Sequence, residues 1–124
     1  MNITRILVVE DNLIAAKVAK SFFERLGCQV DCVDDGDKAI HMTFQHNYDG
    51  ICMDIGLPTT NGVEACKAIR AHEVKNNLKS IPIIALTANC RPEEIAQYLE
   101  VGMQEVFSKP FTMQKAERFL SLCL

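Results

Sequence analysis

No apolar run in this sequence approaches the ~20 residues that a bilayer-crossing helix needs, which excludes a membrane span. Positive charge is not in excess either. With 13 Lys+Arg against 16 Asp+Glu and a net charge of −3, the chain lacks the phosphate-backbone footprint of a duplex-DNA binder, and no direct nucleic-acid contact is expected. The opening MNITRILVVEDN has a single early Arg5 followed by acids, which is not the pattern of a secretory signal, so the expected location is the cytoplasm. Glycine and proline are sparse, at 6 and 4, and no repeat, low-complexity tract or linker interrupts the chain. What is present is 48% apolar residues in 124, enough to bury a core and too many for a disordered chain. One domain over 1–124 is expected, because compact domains commonly run to ~100–150 residues, and no room remains for a second module.

The 6 cysteines carry no redox or metal spacing. There is no C-x-x-C pair and no Cys/His quartet. Cys28, Val30 and Cys32 alternate in a strand-like run and Cys52 lies within an apolar one, so the thiols read as reduced core residues. His41, His46 and His72 have no partner at ligand spacing and read as surface or boundary residues.

Short apolar runs alternate with amphipathic stretches. Ile6–Val9, Gln29–Val33, Gly50–Met53, Ile81–Leu86 and Glu105–Ser108 read as strands. Between and after them, helices are predicted over Leu13–Leu26, Asp37–Gln45, Val63–His72, Pro92–Val101 and Thr112–Leu122. The stretch Glu73–Ser80 reads as polar loop. In the first helix the predicted core stripe is Ile14, Ala15, Val18, Ala19, Phe22 and Leu26. Strict alternation predicts a single doubly wound α/β fold, a five-stranded parallel sheet with helices on both faces. Ligands of such sheets sit beyond the carboxyl ends of the strands, where the strand order reverses.

Those ends carry the chemistry. The first strand ends in Glu10-Asp11, the third in Asp54, the fourth in Thr87 and the fifth in Lys109-Pro110. Three carboxylates close together repel one another unless a cation sits among them, and Mg²⁺ with oxygen ligands is the usual solution. An ammonium coordinates no metal, so Lys109 is expected to face an anion, with Thr87 offering it a hydroxyl donor. A strand-end Asp that accepts a phosphoryl group would form an acyl phosphate whose developing charge the metal and the ammonium neutralise.

The segments ILVVEDN at 6–12, MDIGLP at 53–58, IIALTAN at 83–89 and SKPF at 108–111 resemble the receiver domain of two-component response regulators. The resemblance spans essentially the whole chain. It implies a flavodoxin-like receiver fold in which Asp54 takes phosphate from a phosphohistidine of a histidine kinase or histidine phosphotransfer protein. It implies that Asp11 and Asp54 ligate Mg²⁺, that Glu10 assists through water, and that the Gly56 carbonyl is a further ligand. Thr87 and Lys109 would bind phosphoryl oxygens across a cis Lys109–Pro110 bond. Such a domain phosphorylates itself and is not an enzyme in the turnover sense. MDIGLP, ALTAN and SKPF lean towards the receivers of hybrid histidine kinases.

Two departures from the resembled pattern stand out. Many receivers carry an aromatic residue three positions before the lysine, where this chain has Val106; the neighbouring Phe107 is expected in the core. Phosphorylation is therefore expected to reshape the fourth and fifth helices less than in aromatic-switched relatives. Gly56, Ala88 and Asn89 form a small-residue rim, predicting an open site. On the first helix, Leu13, Ala16 and Ser21 lie off the predicted stripe and are candidates for a partner patch. Rival readings are a non-phosphorylated adaptor and a small Asp-nucleophile phosphatase, although the latter needs a second Asp where Gly56 stands. A dinucleotide binder is disfavoured because neither G-x-G-x-x-G nor a P-loop follows the first strand.

Overall fold

A computed structural model describes residues 3–124; Met1 and Asn2, the first two residues of the opening run read above, lie outside the described residues. Five strands and five helices alternate: β1 (Arg5–Val9), α1 (Leu13–Arg25), β2 (Gln29–Val33), α2 (Gly36–Gln45), β3 (Gly50–Asp54), α3 (Gly62–Lys75), β4 (Ile83–Thr87), α4 (Pro92–Glu100), β5 (Glu105–Ser108) and α5 (Met113–Cys123). The strands form one parallel sheet in the order β2-β1-β3-β4-β5. The order reverses between β1 and β3, so the ends of those two strands open a crevice.

Alternation along the strands divides the core in two. Leu7, Val9, Ile51, Met53, Ile83 and Ala85 face α2, α3 and α4. Ile6, Val8, Cys52, Ile84, Leu86 and Phe107 face α1 and α5, where Phe23 and Phe119 are fully buried. Phe107 is thus a core residue, as expected, while Val106 is half-buried against the opposite cluster. Four helices open on a side-chain cap. Asn12, Asp35, Asn61 and Thr112 each accept a hydrogen bond from the backbone N–H three residues on, satisfying a donor the helix itself cannot. The fifth, α4, opens on Pro92 with Glu93 and Glu94 in its first turn and has no side-chain cap bond from Arg91.

The structure corrects four expectations. In α1 the buried residues are Ala16, Ala19 and Phe23, whereas Ile14 and Val18 are exposed. Apolar residues cover two adjacent flanks of this helix, and small alanines let the 16/19/23 flank sit closest to the sheet. Ala16 therefore leaves the partner patch, and the flank bearing Ile14 and Val18 turns towards Pro110 and Phe111. The supposed loop from Glu73 begins as helix, since α3 runs on to Lys75 with Glu73 buried. The strand predicted from Ile81 starts at Ile83, after Pro82, which has no N–H to give a ladder. Finally, Cys28, Cys52 and Cys66 are buried and Cys123 is half-buried, but Cys32 and Cys90 are exposed, one on an edge strand and one on a loop. All six thiols are free. No helix among the described residues is long and apolar enough to cross a membrane.

Candidate functional site

Each acid reaches the crevice because its strand ends there. Glu10 follows the last residue of β1 and is 5% exposed; Asp54 is the last residue of β3 and is 3% exposed. Asp11, one residue further along the loop, is exposed. Carboxylate oxygens of Glu10, Asp11 and Asp54 lie within 4.8 Å of one another, the one such grouping of metal-ligating side chains among the described residues. No cysteine or histidine joins it, in keeping with their sequence spacing.

Lys109 enters from the end of β5 on the far side. Its Nζ lies 3.0 Å from Asp54 Oδ1 and 3.7 Å from Glu10 Oε1. The Lys109–Pro110 peptide bond is cis, as the resemblance implied. Asp54 Oδ1 also accepts the Gly56 N–H at 3.2 Å, and Glu10 Oε2 accepts the Asn12 N–H at 3.1 Å. Directly behind Asp54, a Cβ at Gly62 would meet the Asp54 carbonyl oxygen at 2.6 Å, so only glycine fits where α3 begins.

Charge in this crevice is unbalanced. One ammonium faces two buried carboxylates and a third exposed one. Burial, and then the hydrogen-bond contact with Asp54, push the Glu10 carboxyl from the usual 4.5 up to about 7, outweighing the Asn12 amide and the Lys109 charge. Burial would lower the Lys109 ammonium, but its hydrogen bond to Asp54 and the charges of Asp54, Glu10 and Asp11 raise it instead. Lys109 therefore stays charged. A set of oxygen donors carrying surplus negative charge suits a hard divalent cation such as Mg²⁺, which the donor chemistry fits and thiolate-seeking metals do not.

The remaining residues predicted for the site are near it without all facing it. Thr87 ends β4 and is 7% exposed, but its hydroxyl donates to the Asn89 carbonyl at 3.1 Å and accepts the Asn89 N–H at 3.1 Å. Gly56 lies on the rim, exposed, and a Cβ there would meet nothing within 4 Å, so the open rim expected from small residues is present. Beside Lys109, a groove of about 600 Å³ runs between α1 and the loop after β5, lined by Ile14, Ala15, Val18, Pro110 and Phe111 among others. One contributor escaped the sequence reading: the Asn12 amide that orients Glu10 is a backbone group with no side-chain signature.

Residues 6–120 match the response regulator receiver domain. The chain belongs to this family. Among the relatives of this receiver domain, the transcription factor SKN7 of Chaetomium thermophilum is 38% identical over 118 residues, covering 94% of this chain and 15% of its own length. The chain thus spans only a small part of that relative. Among solved structures, the receiver domain of the sensor histidine kinase PA1611 of Pseudomonas aeruginosa is 36% identical with a TM-score of 0.85, covering 98% of this chain and 97% of that one. That structure is described with a magnesium ion coordinated in its active site cleft. The receiver domain of Saccharomyces cerevisiae Ssk1, solved with the histidine phosphotransfer protein Ypd1, is 26% identical with a TM-score of 0.87, covering 94% of this chain and 85% of that chain. The fold is that of these receivers, a five-stranded parallel sheet flanked by five helices.

Proposed function

We propose that this receiver domain accepts a phosphoryl group on Asp54 from the phosphohistidine of a histidine kinase or histidine phosphotransfer protein, with Mg²⁺ held by Asp11, Asp54 and the Gly56 carbonyl and supported by Glu10. The observation that carries this reading is the placement of Asp54, buried at a strand end with its Oδ1 held by Lys109 and the Gly56 amide and its carboxylate grouped with those of Glu10 and Asp11. In the transfer, an Asp54 carboxylate oxygen attacks phosphorus in line and the imidazole of the donor leaves. Negative charge on the phosphoryl oxygens is met by the Lys109 ammonium and, once its hydroxyl turns away from Asn89, by Thr87. When bound, Mg²⁺ neutralises the surplus carboxylate charge and that of the incoming phosphoryl group.

The groove beside Lys109 and the exposed Leu13, Ile14 and Val18 support a partner helix docking along α1, where a histidine would reach the crevice. Free thiols support a reducing compartment, the cytoplasm. Neither nucleic acid nor lipid is a partner in this reading, and one domain fills 1–124. Incubation with a small phosphoramidate or acyl-phosphate donor and Mg²⁺, followed by intact-mass measurement, tests the proposal. One phosphoryl adduct is expected, absent with EDTA and absent in Asp54→Asn. An adduct that survives Asp54→Asn undiminished would sink it.

A further inference from the structure

Gly56 holds Asp54 Oδ1 through its N–H, and its carbonyl is a proposed Mg²⁺ ligand. It has no side chain to fix it, and a Cβ there would meet nothing within 4 Å, so the rest of the loop between β3 and α3 must set where these groups lie. The two ends of that loop are tied by backbone. The Ile55 N–H donates to the Leu86 carbonyl at 3.1 Å, and the Gly62 N–H closes the loop onto the Ile55 carbonyl at 3.1 Å. Between them Leu57 is buried in the cluster facing α2, α3 and α4. What remains is the tip, Pro58 to Thr60.

The tip is held by another element. Thr59 lies in the left-handed region, at a φ of 63°. A β-branched residue is crowded there, and such a conformation persists where contacts around it impose it. Thr60 supplies those contacts. Its Oγ1 donates to Asp37 Oδ1 at 2.7 Å, joining the loop to the first turn of α2. Its carbonyl packs so closely on Gly36 that any Cβ there would collide with it. The bond to Asp37 is not a by-product of helix capping. Asp35 accepts the Lys38 N–H as the cap of α2, and the Lys38 ammonium pairs with Asp34.

We propose that Thr60 is a positioning residue for the cation site: its hydroxyl, held by Asp37, fixes the tip of the β3–α3 loop on the start of α2 and thereby fixes the Gly56 backbone at the crevice. The proposal rests on the reading in which Asp54 and the Gly56 carbonyl hold Mg²⁺. That ion tolerates little variation in the distance and angle of its oxygen ligands, so a carbonyl already in place binds better than one ordered on each encounter. Without the Thr60 hydroxyl, the tip is free to leave the crowded conformation at Thr59, and the carbonyl loses that order. The bridge also runs the other way. A cation on Gly56 steadies the first turn of α2, because coupling between two sites is reciprocal.

The test is a Mg²⁺ titration followed by amide chemical shifts in the parent and in variants of the bridge. In the parent, the Gly56 amide and those of 36–38 are expected to move along one binding curve. Thr60→Val keeps the shape and removes the hydroxyl; it is expected to weaken Mg²⁺ binding by roughly threefold to tenfold, the worth of one hydrogen bond, and to silence 36–38. Thr60→Ser should restore both. Asp37→Ala should weaken binding as Thr60→Val does, and the double variant no further, because both remove the same bond. Asp37→Asn keeps an acceptor oxygen and should stay close to the parent, which separates the bridge from the loss of a charge. A Thr60 that only supports the fold would lower the urea midpoint and leave Mg²⁺ affinity unchanged. Parent-like affinity in Thr60→Val, no rescue by Thr60→Ser, or losses that add in the double variant overturn the bridge alone. A parent whose Gly56 amide ignores Mg²⁺ overturns the metal assignment and the bridge with it.

Discussion

Two clusters of buried carboxylate sit in this small domain, and the protein treats them in opposite ways. Glu73, 3% exposed, has both oxygens fully engaged: Oε1 accepts from Arg70 at 2.7 Å and Oε2 from the Ile81 N–H at 2.7 Å. Arg70 in turn donates twice to the Gly102 carbonyl, tying α3 to the turn before β5. Glu10 and Asp54 are buried to the same degree but share a single ammonium, and burial together with the contact to Asp54 drives the Glu10 carboxyl up to about 7. A buried charge with complete partners is part of the frame. One left short of partners, at the crevice where the strand order reverses, holds surplus charge ready for a cation and a phosphoryl group. The difference teaches that the domain gives one buried acid a partner for each oxygen and leaves Glu10 and Asp54 to divide the charge of one lysine.

The contrast makes predictions of opposite sign. The largest effect is expected at the satisfied cluster, where Glu73→Ala should lower stability by about 3 kcal/mol in urea unfolding, because the half-buried Arg70 guanidinium and Ile81 amide lose a buried acceptor. Next comes the pH dependence of Glu10. Its folded value of about 7 exceeds the ordinary 4.5, so between those values the folded state holds more protons than the unfolded one. Stability in EDTA should therefore fall as pH rises across that window, on the order of 2 kcal/mol in total, and level off above it. Glu10→Gln should flatten this part of the profile, and saturating Mg²⁺ should offset it. A profile unchanged by Glu10→Gln would mean that Glu10 is not the group under strain.

A smaller effect, but a more telling one, is expected at Asp54, the proposed phosphoacceptor. Asp54→Asn keeps an oxygen for Lys109 and for the Gly56 amide while removing one negative charge, so it should raise the metal-free stability by about 1 kcal/mol and shrink the Mg²⁺-induced rise in Tm. Destabilisation by Asp54→Asn would erase the distinction between the two clusters. The smallest effect is expected outside both. Arg118 pairs with Glu105 at 2.8 Å, but with 61% of the Arg118 side chain exposed, Arg118→Ala should change the urea midpoint by no more than about 0.5 kcal/mol.

Much of this contrast could be read along the chain, and the part that could not has a physical reason. Strict alternation and strands ending in Glu10-Asp11, Asp54, Thr87 and Lys109 placed the crevice, because the ends of parallel strands gather at one edge whatever their sequence separation. The turn chemistry from Leu57 to Gly62 placed the start of α3, where the Asn61 side chain caps the helix. Glu73 was misread because a polar residue looks solvated until Arg70 and the Ile81 amide, eight residues on, are seen to reach it. The facing of α1 was misread because its apolar residues cover two flanks and periodicity alone does not choose between them. Thr87 was rightly placed at a strand end, but the direction of its hydroxyl is set by the Asn89 backbone, which no side-chain pattern encodes.

The central claim is that the under-partnered carboxylate at 54 is the one that carries phosphate. Phosphorylating the protein with a small donor and Mg²⁺, reducing the acyl phosphate with borohydride and mapping the peptides locates the modified side chain directly. Homoserine at position 54, and at no other acid, is the expected result. Reduction at Glu10 or Asp11, or a phosphorylated protein in which Asp54 is recovered unchanged, would contradict the account.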